Sequence, residues 1–378
     1  KIDVANMLTG ATPVANGGTA LTSGFQNGVD PRPLSQPLII NGNMAVAQRG
    51  TSFANVGDGV YTLDRFETQK NNDGAVTVTQ EALTCDVTTA DGTLATNQRF
   101  QIQQIIEAQN LQSLKFGTAN AEKLTLAFWV KATKTGTHIV RLFLYDDDRS
   151  VSASYTVSSS NTWEHKVLNF PADTTGVIDN DNGAGMQVNW FMGAGASFQS
   201  GTLATTWGTN TTANDAVGQV NGLDSTSNNF HLTGVQLEIG EFSSTTLPPF
   251  QHESFDDNLR RCQRYFTKIE TASGSSLEMA TNKVNPNNGN QSRGVYYLAV
   301  PMRAGATTTL TGSVKAGYLG GDYALSDQGF STVAPTYGST TDRVNIVSTY
   351  MLADDNNSQH SMMFVLQASS SLSLDAEL

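Results

Sequence analysis

Residues 124–130 read Leu124-Thr125-Leu126-Ala127-Phe128-Trp129-Val130, in which every even-numbered position is a large apolar side chain. Successive side chains of a β-strand point to opposite faces, so the four even-numbered residues share one face. A period of two over seven residues predicts a half-buried strand. This stretch therefore indicates a sheet with a hydrophobic core on one side.

Similar short runs occur on both sides of this stretch, separated by clusters of Gly, Asn and Asp. They are residues 75–79, 138–145, 154–157, 165–170, 186–192 and 230–237. Short strands with turn residues between them and no long helix predict an all-β fold, here a β-sandwich of the jelly-roll type. One Gln-rich passage, residues 95–114, has a weak helical period, and no helix is predicted from it.

A helical period is clear in only one place. Apolar residues from Phe255 to Phe266 recur at spacings of four, three and four, which places them on one face of a helix. Ser254, followed by Asp257 three residues later, is a typical N-terminal cap. The pattern predicts a short helix that joins two β domains.

Four segments follow from these patterns. Beyond the helix, residues 294–301, 306–311, 344–351 and 361–367 are again strand-like and predict a second, smaller β domain. The first residues are rich in Gly, Pro and Thr without any period, so we expect an extended arm that is ordered only against a neighbour. The predicted segments are an arm (1–37), the sandwich (38–250), the helical joint (251–268) and the C-terminal β domain (269–378).

Composition excludes several functions. The 378 residues carry 22 basic and 34 acidic side chains, and the net charge of -12 would repel a nucleic acid. No stretch approaches the roughly 18 apolar residues of a membrane span, so no membrane insertion is expected. The two cysteines, Cys85 and Cys262, are far apart and predict buried thiols rather than a disulfide scaffold or a zinc cluster.

Several separated blocks resemble one known family. The first reads Asn41-Gly42-Asn43-Met44-Ala45-Val46-Ala47-Gln48-Arg49-Gly50. Further blocks follow in the same order as in the family, at residues 61–66, 124–131, 229–240 and 261–266. Together they resemble the carbohydrate-binding-module-like domain of bacteriophage tail fibres and tail collar proteins, over roughly residues 38–268.

The resemblance implies a homotrimeric virion appendage of the phage tail, assembled in the host cytoplasm. It implies host attachment through cell-surface polysaccharide, with the N-terminal arm contacting other phage tail proteins. Two alternatives stay open: a structural decoration or adaptor protein of capsid or tail that binds no receptor, and a polysaccharide depolymerase. We expect no enzyme, because the sequence shows neither a recognisable pair of catalytic carboxylates nor a catalytic motif.

Three aromatic residues are candidates for glycan binding, because sugars stack on flat aromatic faces. Trp207 lies in a loop rich in Thr, Gly and Asn and is expected to be an exposed anchor. Trp129 points away from the apolar face of its strand, which favours a second core or a subunit interface and leaves a ligand platform as the alternative. Tyr145 ends the run 138–145. The other tryptophans, Trp163 and Trp190, are expected to be structural.

Two acidic clusters are candidates for a structural Ca²⁺ ion, since calcium prefers several oxygen ligands on a flexible loop. Asp146 and Asp148 belong to one cluster, and Asp179 and Asp181 belong to the other. The alternative is a pair of solvated turns. No other cofactor is expected.

Overall fold

The computed structural model describes residues 37–273, 277–285, 291–312, 314–318, 343–348, 361–366 and 368–378. The predicted arm, residues 1–37, lies outside these ranges apart from its last residue. In the described ranges, no helix has the length and apolar character needed to cross a membrane.

The described part of the chain is built almost entirely of strands. Its helix α1 is Phe255–Gln263, and short 3-10 helices lie at Ala108–Leu114, Ala196–Phe198 and Thr212–Asn214. The strands are β1 Ser52–Phe53, β2 Val60–Tyr61, β3 Glu67–Lys70, β4 Ala75–Thr79, β5 Leu83–Thr89, β6 Arg99–Glu107, β7 Leu124–Ala132, β8 Gly136–Leu144, β9 Arg149–Val157, β10 Glu164–Phe170, β11 Ala184–Ala194, β12 Gly208–Thr209, β13 Asn229–Ile239, β14 Phe266–Glu270, β15 Leu277–Asn285, β16 Gln291–Tyr297, β17 Thr307–Thr311, β18 Val314–Tyr318, β19 Arg343–Ser348, β20 Ser361–Leu366 and β21 Ser371–Asp375.

Two antiparallel sheets form the sandwich. One has the order β1-β4-β5-β13-β7-β10, and the other has the order β12-β9-β8-β11-β6-β3-β2. Their inner faces meet in one core, where the Phe128 ring lies edge-on to Trp190 at 6.0 Å and to Tyr155 at 5.2 Å between ring centroids. The predicted all-β sandwich is confirmed, and Trp190 is a core residue as expected.

The Gln-rich passage with the weak helical period forms strand β6 and then a 3-10 helix. Phe100 and Ile102 point into the core, while Gln101 and Gln103 point to the outer face. The glutamines on the outer face are themselves buried, so nearly every residue of β6 is shielded from solvent. The apolar–polar alternation from Arg99 to Gln103 ends at Gln104, a polar residue on the core side whose amide donates to the Ile40 carbonyl, so the strand is not recognised over its full length.

Helix α1 and a second β region follow the sandwich, as predicted. The Ser254 hydroxyl accepts a hydrogen bond from the backbone N–H of Asp257 at 3.1 Å, which confirms the cap. Phe255, expected on the buried face, is exposed because only the second half of the helix packs on the sandwich. The C-terminal strands form two sheets, β14-β21-β17 and β18-β20-β15-β16-β19. The four domain boundaries themselves stay predictions.

Both thiols are buried, as predicted. Cys85 lies in the sandwich core, and Cys262 lies on α1 against Ile40, Val46 and Tyr265. Burial raises the pKa of both thiols above the ordinary value, which keeps them protonated and unreactive.

One buried guanidinium joins the sandwich to the C-terminal region. Arg65 is only 1% exposed, and its Cζ lies 3.5 Å from the centroid of the Tyr265 ring. Its terminal nitrogens pair with the Glu377 carboxylate and donate to the carbonyl of Ile105. Tyr61 adds a hydrogen bond to the carbonyl of Leu378 at 2.9 Å. We call this set of six residues the Arg65 junction.

Blocks that carry the family resemblance meet beside this junction. The Asn41 side chain donates to the carbonyls of Val46 and Asp64 and accepts from the N–H of Val46, at 2.9–3.1 Å. The Gln48 amide donates to Asp64 at 2.6 Å and to the carbonyl of Phe266 at 2.8 Å. These contacts join residues 41–50, 61–66 and 261–266, so the polar side chains of these blocks serve packing.

We expect Glu377→Ala to lower the free energy of unfolding by about 3–5 kcal/mol, because it leaves the buried Arg65 charge without its carboxylate partner. Urea unfolding followed by circular dichroism measures the change. The control is Glu270→Ala, which removes an exposed ion pair with Lys268 and should cost about 1 kcal/mol or less. Equal losses in the two variants would contradict the role given to the junction.

Candidate functional site

Exposed aromatic side chains gather on the outer face of the six-stranded sheet. Trp129 on β7 is 44% exposed, and Trp163, just before β10, is 40% exposed. His165 on β10, His231 on β13 and Lys131 on β7 lie beside them. We call these five residues the aromatic face.

Strand register arranges the aromatic face in two rows. In the first row, Trp129 is paired with His165, and their ring centroids lie 4.9 Å apart at 32°. In the second row, Trp163 lies 6.0 Å from His231 at 60°, and Lys131 Nζ lies 5.3 Å from the Trp163 ring. Positions two residues apart on a strand are about 7 Å apart, which is the spacing of the rows.

A β-bulge in β13 seats the Trp129 ring. Thr233 is the partner of Trp129, but the next pair is Gln236 with Ala127, so β13 carries an extra residue at this point. Gly234 has φ +59, and a Cβ atom there would lie 3.0 Å from Cδ1 of Trp129. Glycine therefore permits both the left-handed backbone and the close approach of the indole.

A cavity of about 460 Å³ lies beside Trp129. One wall is the sheet and the bulge, and the other is the segment from Ser244 to His252. Gln236 is only 6% exposed; its amide nitrogen donates to the carbonyl of Pro248 at 3.1 Å, and within the described chain its Oε1 has no partner. The lining residues are Asn43, Trp129, His165, Thr233, Gly234, Gln236, Ser244, Leu247, Pro248, Pro249, Phe250 and His252.

The histidines of the aromatic face are neutral near pH 7. Burial, assisted by the charge of Lys131, lowers the pKa of His231 to about 4. Burial also lowers the pKa of His165 below its ordinary value of 6.5. The Thr84 hydroxyl lies 2.7 Å from Nδ1 of His231 and fixes its ring. The face therefore presents flat, mostly uncharged rings, with Lys131 as its single cation.

The structure corrects the expected environments of two tryptophans on this face. A core position for Trp129 is wrong, because its side chain lies on the outer face and is open to solvent. Trp163, expected to be structural, is exposed as well. Trp163 precedes β10, so its position opposite Lys131 depends on strand pairing and is not visible in the local sequence.

The predicted exposed anchor at Trp207 is also wrong. Its indole N–H donates to the carbonyl of Pro171 at 2.8 Å, and its ring lies edge-on to Phe116 at 5.5 Å. The side chain is half-buried against the sandwich core. The polar loop folds back because Gly208–Thr209 pairs with β9, and this carries the ring inward.

Tyr145 is exposed, but it lies on the far side of the sandwich from Trp129. It follows β8, and its ring lies edge-on to Phe143 at 5.1 Å. Next to it, polar residues form a row across the outer face of the seven-stranded sheet, where Asn189 donates to Gln103 at 3.0 Å. Because the core separates the two outer faces, Tyr145 and Trp129 cannot contact the same sugar ring.

The acidic residues proposed for calcium bind backbone groups. Asp146 accepts from the N–H of Asp179 at 2.9 Å, Asp181 accepts from the N–H of Gly183 at 2.8 Å, and the Asp148 carbonyl accepts from Asn210. Burial, with the nearby charges of Asp179 and Asp181, raises the pKa of Asp146. In the described ranges, no group of three His, Cys, Asp or Glu side chains is placed to hold a metal ion. A structural calcium ion stays a prediction.

No family model and no curated protein matches the chain. Among solved structures, it is similar to one described as "CBM4 structure and function", a carbohydrate-binding module, with 13% identity and a TM-score of 0.28 over 53% of this chain and 97% of that one. It is also similar to a sialidase, with 10% identity and a TM-score of 0.23 over 46% of this chain and 17% of that one. TM-scores this low carry no argument about function. The β-sandwich fold is assigned from the two sheets of this chain.

We expect the melting temperature to fall as the pH drops from about 6.5 to about 4, by less in His231→Gln than in the unchanged protein. Between these values the unfolded chain protonates His231 and the folded chain does not, so acid favours unfolding. Differential scanning calorimetry measures the change in melting temperature with pH for both proteins. The carboxyl groups contribute equally to both changes, so the difference between the two changes reports on His231. Identical pH profiles would contradict the lowered pKa.

Proposed function

We propose that this chain binds glycan through the aromatic face. The observation that carries the proposal is the exposure of two tryptophan side chains, Trp129 and Trp163, on one sheet face beside a cavity. Exposed indoles cost solvation free energy, and a pair of them on one surface is typical of a binding site. Among the described residues, neither ring belongs to the hydrophobic core of the sandwich.

The chemistry of the face suits sugars. A pyranose ring presents C–H groups that pack on an aromatic face and hydroxyls that need polar partners. Trp129 and Trp163 supply the flat surfaces, in rows about 7 Å apart. Thr233, His165 and Gln236 supply hydroxyl, imidazole and amide groups next to Trp129. Successive units of an extended glycan can therefore occupy successive rows.

We further propose that the chain binds its ligand without cleaving it. Glycosidases use two carboxylates about 5–9.5 Å apart, and none of the described residues that line the cavity is acidic. On the opposite face, Glu67 accepts from Gln103, and Asp215 pairs with Arg141. Glu67 and Arg141 lie on strands three spacings apart, about 14 Å, so these acids do not form a catalytic pair.

For the biological setting, we propose a homotrimeric virion appendage, a phage tail fibre that attaches to host polysaccharide. The ordered series of sequence blocks that resembles tail fibre and tail collar proteins supports this proposal. The mutual packing of three of those blocks around Asn41 and Asp64 supports it too, because a shared packing arrangement accounts for a shared order of motifs.

We expect Trp129→Ala to weaken glycan binding at least 10-fold, because it removes the flat surface of the first row. A glycan array with the fluorescently labelled protein, followed by calorimetry on the best ligand, measures the loss. Tyr145→Ala is the matched control, since it removes an exposed aromatic ring from the opposite face. Loss of binding in the Tyr145 variant alone would move the site to the other sheet and overturn the proposal.

If the protein is a trimer, light scattering coupled to size exclusion should give three times the mass of the chain at micromolar concentration. Competition between the purified trimer and phage for host cells then separates an attachment protein from an adaptor. A stable monomer would contradict the trimer, and a trimer that never competes would contradict the attachment role.

A further inference from the structure

We infer that the cavity beside Trp129 holds one neutral sugar residue, stacked on the Trp129 ring and hydrogen-bonded to Gln236. The inference rests on the proposed function and names the class of glycan that the aromatic face accepts. It also assigns one unit of that glycan to the cavity, while the units on the second row lie on the exposed sheet face.

The size and shape of the cavity fit a small rigid group. Its volume of about 460 Å³ falls within the range of about 300–1,000 Å³ that is usual for small-molecule sites. The Trp129 and His165 rings form one side, and Leu247, Pro248 and Phe250 form the other. A ring that enters can therefore contact both groups of residues, whereas Trp163 does not line this cavity.

The charge of the lining points to a neutral ligand. None of the described lining residues is Asp, Glu, Lys or Arg, and the pKa of His165 is lowered, so the imidazole is uncharged near pH 7. A uronic or sialic acid placed here would lose the hydration of its carboxylate without gaining a Lys or Arg partner among the described lining residues. The net charge of -12 adds a general repulsion of acidic polymers.

Gln236 supplies the specific polar contact. The hydrogen bond to Pro248 fixes one end of its amide group, and Oε1, at the other end, has no donor among the described residues although it is buried. Buried acceptors are nearly always hydrogen-bonded, so this oxygen needs a donor that the described residues do not supply, and a ligand in the cavity supplies it once the Gln236 amide turns toward that cavity. A sugar hydroxyl is such a donor, and a carboxylate is not.

The test compares Gln236→Met with the unchanged protein. The probes are neutral hexasaccharides of glucose, galactose, mannose and xylose, and acidic oligosaccharides of galacturonic and mannuronic acid of the same length. We expect the best neutral probe to bind at least 10-fold more tightly than any acidic one. We expect Gln236→Met to weaken it about 5-fold, the effect of one lost hydrogen bond. Gln101→Met is the matched control, a buried glutamine with an unpartnered Oε1 on the opposite face, and should change binding less than 2-fold.

A second measurement does not depend on the variant folding. In the unchanged protein, the indole N–H signal of Trp129, assigned from Trp129→Phe, should shift on titration with the neutral probe. Equal affinity for acidic probes, an unmoved Trp129 signal, or a Gln236→Met protein that folds and binds normally would overturn the inference. If Trp129→Ala still weakens binding in those cases, the proposed glycan binding by the aromatic face stands. If no probe binds at all, the proposed function and the inference about the cavity are both wrong.

Discussion

The packing of the C-terminal region on the sandwich depends on one buried positive charge, the guanidinium of Arg65. A charge removed from water is tolerated only when several partners replace its hydration, and here these are a carboxylate, a backbone carbonyl and an aromatic ring. Glu377 and Tyr265 come from the far part of the chain, so the charge cannot be satisfied until that part docks. The junction therefore couples the folding of the sandwich to the segment after it.

A chain of contacts leads from this junction to the aromatic face. Asp64, next to Arg65, is joined through its carbonyl to the side chain of Asn41. The following residue, Gly42, accepts a hydrogen bond from the N–H of Val235 at 2.9 Å, and a side chain at position 42 would collide with the Val235 carbonyl. Val235 belongs to the bulge that seats Trp129. The Trp129 side of the aromatic face is thus connected to the Arg65 junction through residues 41, 42 and 64.

Local pattern predicts much of the fold and less of the site. The strands that alternate cleanly, such as β7, and the capped helix α1 could be read directly, because burial on one face leaves a period in the sequence. Strand β6 could not, since its alternation ends at Gln104, a polar residue on the core side that is satisfied by the backbone of the distant Ile40. Trp129 was a candidate from its position on β7, whereas Trp163 and the cavity depend on pairing between distant strands. Gly234, inside a strand-like run, was the available signal of a bulge.

The bulge at Gly234 divides β13 into two halves. In one half the odd-numbered side chains lie on the outer face of the sheet, and in the other half the even-numbered side chains do. Before the bulge, odd-numbered residues such as His231 and Thr233 look outward; after it, the even-numbered Gln236 does so while Leu237 points into the core. Deleting Gly234 would remove the bulge and place Val235 opposite Phe128, so Gln236 would stay opposite Ala127 and Leu237 opposite Leu126. The extra residue is therefore not needed for the register of the strand; its contribution is the left-handed glycine on which the Trp129 ring lies.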